Sequence, residues 1–189
     1  MRLKHNSKMN SKRICPLERA GGLDNSVRKL FQNPFKILNE LIKDDMHILD
    51  LGCGPGYFTV EIAKMLKGSG KVIAADLQEG MLAMVRNKIK GTELEERIVL
   101  HKCEDNKIGV AEKVDFVLAF YMVHEVPDQK RFFDELRSIL KLNGKLYIIE
   151  PKFHVTKKMF SDMIGRLDDS GFQIIDRPKV FFSRAILLK

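Results

Sequence analysis

Between residues 50 and 57 the chain reads Asp50-Leu51-Gly52-Cys53-Gly54-Pro55-Gly56-Tyr57, an acid followed by three glycines at alternate positions. Glycines let the backbone turn tightly and let a ligand approach with no side chain in between. A helix that begins straight after such a turn aims its unpaired N–H groups at that ligand. The spacing also discriminates between ligands. A dinucleotide loop places its third glycine three residues after the second. Here Gly56 comes one residue early, and the dinucleotide position holds Tyr57, which would crowd packing over a pyrophosphate. The leading acid, Asp50, suits a ligand with a positive head group. Twenty residues beyond Gly56 stands Asp76, at the end of the next apolar run. A carboxylate there accepts two hydrogen bonds from a ribose diol, each charge-assisted bond contributing about 1.5–3 kcal/mol. A strand-end cap is the competing reading, and the joint occurrence of loop and acid at this interval speaks against it. A second group, Tyr121, His124 and Glu125, follows the apolar run Val114 to Phe120. Histidine changes charge near neutral pH, so His124 has the chemistry of a general base with Glu125 to orient it. Backbone hydrogen bonding or packing is the alternative for His124, and plain packing is the alternative for Tyr121.

The elements that must hold these residues alternate. Strands are expected over Met46–Leu51, Lys71–Asp76, Arg97–Lys102, Val114–Phe120 and Lys145–Glu150. Helices are expected over Tyr57–Lys67, with Phe58, Ile62, Met65 and Leu66 on one face, and over Gly80–Lys90, with Leu82, Val85 and Ile89. Asp128 caps a further helix carrying Phe132, Phe133, Leu136, Ile139 and Leu140, after which Asn143-Gly144 turns the chain. Near-continuous apolar strands alternating with helices mean a parallel sheet covered on both faces. After Pro151 come a helix over Thr156–Ser170, stopped by Gly171, and strands over Phe172–Asp176 and Val180–Leu188. The link through Pro178-Lys179 is so tight that these last two must be antiparallel. Upstream, Asp24 to Lys43 reads as a helix in two pieces, with Asn33-Pro34 as N-cap and first helical residue of the second.

The chain has 189 residues, 44% of them hydrophobic and 31% charged, enough for one domain with a real core. No apolar run approaches the roughly 20 residues of a membrane span, and the basic start, Met1 to Arg13, lacks the hydrophobic centre of a secretory signal. Of the net charge of +8, Arg2, Lys4, Lys8, Lys12 and Arg13 contribute +5. The division expected is therefore a mobile basic tail over 1–13, a helical lid over 14–43 and the main domain over 44–189, with the turn Ala20-Gly21-Gly22-Leu23-Asp24-Asn25 feeding the lid. Cys15, Cys53 and Cys103 show neither metal-ligand spacing nor an even disulfide set, which fits reduced thiols in the cytoplasm.

These residues resemble the class I S-adenosylmethionine-dependent methyltransferases, from about Met46 to the C-terminus, and within them the group that includes the ubiquinone/menaquinone biosynthesis C-methyltransferases. The stretch Asp50 to Gly56 matches the glycine-rich signature of that group. Val114-Asp115-Phe116-Val117-Leu118-Ala119-Phe120 with Tyr121-Met122-Val123-His124-Glu125 matches the fourth strand and the segment facing the methyl group, and Leu142-Asn143-Gly144-Lys145-Leu146 precedes the fifth strand as in the family. The resemblance implies a Rossmann-like α/β three-layer sandwich, with a seven-stranded, mostly parallel sheet and an antiparallel C-terminal strand. It also implies S-adenosylmethionine as cofactor and S-adenosylhomocysteine as product. Asp50, Gly52, Cys53, Gly54, Gly56 and Tyr57 would cradle the amino-acid end, Asp76 and Leu77 the ribose, and Phe120 would line the site. One position departs from the pattern. The Asp-Ala or Asn-Ala pair that often meets adenine is replaced by Lys102-Cys103, so the Cys103 backbone and Glu104 are expected there.

A sulfonium methyl donor is already activated, so alignment and desolvation carry much of the catalysis, and a base is needed only for a protonated acceptor. The Tyr121 ring face suits a cationic sulfur. Marks of nucleic-acid methylation are missing: no Asn/Asp-Pro-Pro-aromatic segment and no cysteine follow the fourth strand. Tyr121 stands where a metal-dependent catechol-type reaction needs an aspartate, so no metal is expected. A small-molecule acceptor leads. An RNA methyltransferase using the basic tail and a non-catalytic S-adenosylmethionine-binding protein are the alternatives.

Overall fold

The computed structural model describes residues 31–189. The expected basic tail, Cys15, the Ala20–Asn25 turn and most of the 14–43 segment lie outside them. Asn33 caps the first described helix, α1 (Pro34–Leu38), by accepting the Lys36 N–H, with Pro34 at the first helical position where no N–H is required. There follow β1 (His47–Leu51), α2 (Tyr57–Met65), β2 (Lys71–Asp76), α3 (Glu79–Ile89), β3 (Ile98–Lys102) and β4 (Val114–Phe120). After them come α4 (Gln129–Ile139), β5 (Leu140–Pro151), α5 (Lys157–Asp169), β6 (Ile174–Asp176) and β7 (Ser183–Leu188). As expected, the side chain of Asp128 caps α4, accepting the Arg131 N–H.

The seven strands form one sheet in the order β3-β2-β1-β4-β5-β7-β6. Neighbours among β1 to β5 are parallel, while β7 runs antiparallel to both β5 and β6. Because side chains alternate across a strand, each strand feeds two cores. Ile48 of β1 packs with Leu38, Phe58, Ile62 and Val85 from α1, α2 and α3 on one face. Leu49 and Leu51 pack with Phe133, Leu136, Phe160 and Leu167 from α4 and α5 on the other. The result is the expected three-layer α/β sandwich. Among the described residues no helix is long and apolar enough to cross a membrane.

Two local expectations need correction. Asn143-Gly144 is not a turn between helix and strand, because β5 begins at Leu140, directly off the end of α4. Val114 pairs with Leu140 and Phe116 with Lys145, so the extra residues of β5 bulge out around Asn143-Gly144. A Cβ on Gly144 would sit 2.9 Å from Leu140 Cδ2 and 3.0 Å from Lys141 O, so a side chain there would crowd the bulge. The link from β6 to β7 is also longer than a Pro178-Lys179 turn, running over residues 177–182. Pro178 has no N–H to extend the ladder, and Phe182 takes a positive φ of 50°. Its carbonyl accepts the Lys152 N–H at 3.0 Å, which ties this loop to the end of β5.

Candidate active site

Strands β1 and β4 lie side by side, but the chain leaves them toward opposite faces, β1 into α2 and β4 into α4. Ligands of such sheets bind in the crevice this leaves at the carboxyl ends of the strands, and a cavity of about 360 Å³ opens there. Its wall contains Asp50, Gly52, Cys53, Gly54 and Tyr57 from the glycine loop, Asp76 and Leu77 after β2, and Cys103 and Glu104 after β3. Phe120, Tyr121 and Glu125 complete it from β4. Of the residues expected at the site, Gly56 and His124 stand outside this wall.

All three loop glycines have positive φ, 69° at Gly52, 53° at Gly54 and 83° at Gly56. Each has a different neighbour. A Cβ on Gly52 would meet Met122 Cγ at 2.9 Å and one on Gly56 would meet Val85 Cγ2 at 2.9 Å, whereas one on Gly54 would meet nothing within 4 Å. Gly52 and Gly56 therefore permit packing, and Gly54 keeps a side of the loop clear. The N–H groups of Gly52 and Cys53 both donate to Ala75 O, at 2.8 and 3.1 Å, fixing the loop to β2. Behind it the buried Asp50 accepts the Thr59 hydroxyl at 2.6 Å.

Asp76 is buried at the end of β2. One carboxylate oxygen accepts the Gly54 N–H at 2.9 Å and the other the Gln78 N–H at 2.8 Å. Burial raises its pKa, and the hydrogen bonds from Gln78 and Gly54 and the charge of Lys102 hold that rise in check. Each oxygen carries a second lone pair, so the carboxylate has capacity for a diol. Burial also pushes the Cys53 thiol well up and the Cys103 thiol to about 12. Both thiols are thus neutral linings, not nucleophiles.

At the adenine corner the backbone is already partly engaged. The Cys103 N–H donates to Asp76 O at 2.9 Å, continuing the sheet, and the Glu104 N–H donates to Lys107 O at 2.9 Å across a tight turn. Cys103 O in turn accepts the Lys102 ammonium at 3.1 Å. Each of the carbonyls of Cys103 and Glu104 keeps a second lone pair, and both residues line the cavity with their side chains. The loop beyond is clamped by Glu135 of α4, which accepts the N–H groups of Ile108 and Gly109 at 3.0 and 2.8 Å.

The orientation of His124 also differs from expectation. Glu125 does not orient it; Glu150 does. His124 Nδ1 lies 2.5 Å from Glu150 Oε2, and the His124 N–H donates to Glu150 Oε1 at 3.3 Å. Glu150 is fully buried. The histidine faces a second cavity of about 440 Å³, between the turn after β4 and α5. Burial alone would lower its pKa, but the Glu150 hydrogen bond and the charges of Glu150 and Glu125 outweigh it and the net shift is upward. It is Glu125 that lines the first cavity, where burial lifts its carboxyl to about 7; His124 opposes that rise and Glu150 and Asp76 add to it. Tyr121, with a φ of 60°, stacks against Phe120 at 4.2 Å. Its hydroxyl accepts from Gln32 Nε2 at 2.7 Å and meets Ser183 Oγ at 2.6 Å, while Gln32 O accepts the Tyr57 hydroxyl at 3.0 Å.

Sequence reasoning missed Glu150, Glu135, Met122 and Gln32. Glu150 left a trace, an acid closing the apolar run Leu146-Tyr147-Ile148-Ile149, since a charge in a buried strand needs a partner. The other three act across the fold and leave no local sign.

The residues fit S-adenosylmethionine: lone pairs on Asp76 for the ribose diol, open space at Gly54, and the acids Asp50 and Glu125 for a cationic head. Known proteins agree in fold. A demethylmenaquinone methyltransferase of Lactobacillus johnsonii is 32% identical over 130 residues, which cover 68% of this chain and 51% of that protein. The chain thus spans about half the length of the curated relatives it matches. A SAM dependent methyltransferase from Aquifex aeolicus superposes with a TM-score of 0.83 at 26% identity, over 93% of this chain and 98% of the other. Aeropyrum pernix fibrillarin, in a structure with natively bound S-adenosyl-L-methionine, shares the fold with a TM-score of 0.63 at 16% identity, over 81% of this chain and 72% of that one. The family described as Methyltransferase domain matches residues 42–171, well over half of the sequence, and the chain belongs to it.

Proposed function

We propose that this chain transfers a methyl group from S-adenosylmethionine to a small-molecule acceptor, in the cytoplasm. The observation that carries the reading is Asp76, held by Gly54 and Gln78 at the lip of the crevice with both oxygens able to accept further hydrogen bonds. The cofactor supplies a methyl already activated on a sulfonium. Asp76 and Leu77 hold the ribose, and the loop from Asp50 to Tyr57 takes the amino-acid end with its acid and its open glycine. The side chains of Cys103 and Glu104 flank the base. Phe120 and Tyr121, packed on each other, line this end of the cavity with apolar rings that exclude water.

Glu125, in the cavity and near-neutral in its titration, is the group that accepts a proton from a protonated acceptor. His124, held by Glu150, acts behind it by setting the charge around Glu125. The relatives named as demethylmenaquinone methyltransferases support a small-molecule acceptor over nucleic acid. Calorimetric titration of S-adenosylmethionine and S-adenosylhomocysteine, with NAD as control, tests the reading. Micromolar binding of the first two and none of NAD is expected; binding of neither would overturn it.

A further inference from the structure

Five phenylalanines stand exposed among the described residues: Phe31, Phe35, Phe153, Phe181 and Phe182, the third of them at 70%. They are not scattered. Phe31 stacks on Phe181 with centroids 4.8 Å apart, and Phe181 meets Phe182 edge to face at 4.8 Å. Phe182 O accepts the Lys152 N–H, which brings Phe153 alongside, and Phe153 lies edge-on to Tyr121 at 6.4 Å. The Tyr121 hydroxyl bonds Gln32 and Ser183, the neighbours of Phe31 and Phe182. Four of the five rings therefore gather around Tyr121, which itself lines the cofactor cavity.

The segments that carry these rings are 31–37, 151–161 and 177–186. Together they hold seven lysines and arginines; the acids that flank them are the buried Glu150, Asp162, which pairs with Lys158 at 2.8 Å, and Asp176, so cations remain in excess. Contiguous exposed apolar surface marks an interaction site, and cations around it select a negatively charged partner. Lasting peripheral attachment to a bilayer takes two such signals together, apolar insertion and basic attraction. A nucleic-acid strand is the other anion that uses aromatic rings, but it needs open ring faces to stack on. Here Phe31 and Phe181 stack on each other at an interplanar angle of 19°, which takes one face of each ring out of play.

We propose that this aromatic, basic rim is a docking surface for an anionic lipid bilayer and that it sets the mouth of the cavity against the membrane. The proposal goes beyond the methyl-transfer reading and stands or falls separately from it. The test is flotation of the full chain with vesicles of phosphatidylcholine alone and with about 30% phosphatidylglycerol, beside calorimetry with S-adenosylhomocysteine. Binding to the anionic vesicles alone is expected, weakening as salt rises. A Phe153→Ala/Phe182→Ala variant should lose at least about tenfold in partitioning, with S-adenosylhomocysteine affinity unchanged within about twofold. Any of three results would overturn the proposal. One is no attachment to anionic vesicles. Another is attachment undiminished in the variant, which would assign it to the basic N-terminal residues. The third is binding of single-stranded RNA that the variant loses while vesicles are ignored.

Discussion

At Asp76 burial and hydrogen bonding act on one carboxylate in opposite directions, and the Gly54 and Gln78 N–H groups keep it available as an anion. Replacing it removes a ligand contact and an anchor of the loop together. Asp76→Ala should weaken S-adenosylmethionine binding by more than about tenfold, since 1.4 kcal/mol already corresponds to that factor. Calorimetry checks this, with circular dichroism to show that the variant is folded. Glu125 gives a pH signature. Its carboxyl titrates at about 7 in the protein, so it is mostly charged at pH 8 and mostly neutral at pH 6. Affinity for the cationic cofactor should therefore fall as pH drops across that range, and Glu125→Gln should flatten the profile. A wild-type profile already flat would remove Glu125 from the binding charge. Glu150→Gln keeps an acceptor beside His124 but removes its charge, and the His124 ring resonances should then titrate at lower pH than in the wild type.

The glycine loop separates packing from ligand access at the scale of elements. Alanine at either position carries about 1–2 kcal/mol of left-handed backbone strain. At Gly56 the new methyl also strikes Val85 of α3, and such overpacking adds about 1–3 kcal/mol. Thermal unfolding should rank Gly56→Ala below Gly54→Ala, while cofactor titration of Gly54→Ala should show the loss that open space at Gly54 protects against. The alternation of strands and helices was legible because local periodicity encodes it, and so was the loop with Asp76, two parts joined by one strand-helix-strand unit. The bulge at Asn143-Gly144 was read as a turn because both use the same residues; only the register of β4 against β5 tells them apart. The His124–Glu150 pair was illegible for a different reason, since it joins the ends of two adjacent strands across 26 residues. Glu125, next in sequence, looked like the partner but faces the other cavity.

Across the whole molecule, the shifts at Glu125 and His124 carry the same sign. Both groups hold their protons more tightly folded than unfolded, so each adds stability at low pH that fades as pH rises through its folded value. The melting temperature should fall between pH 6 and pH 8, and the fall should shrink in Glu125→Gln. Saturating S-adenosylhomocysteine should raise it, by about 2.7 kcal/mol of added stability at a hundredfold excess over Kd. The sheet order has a further consequence, for folding. Strand β7 follows β6 in the chain yet seats between β5 and β6, with Leu188 opposite both Leu146 and Ile174. A folding chain in which β7 has not yet docked leaves the outer edge of β5 open from Leu146 to Pro151. Until β7 seats, that edge is a template for another chain, so a folding intermediate lacking this last strand is more exposed to aggregation than the folded protein.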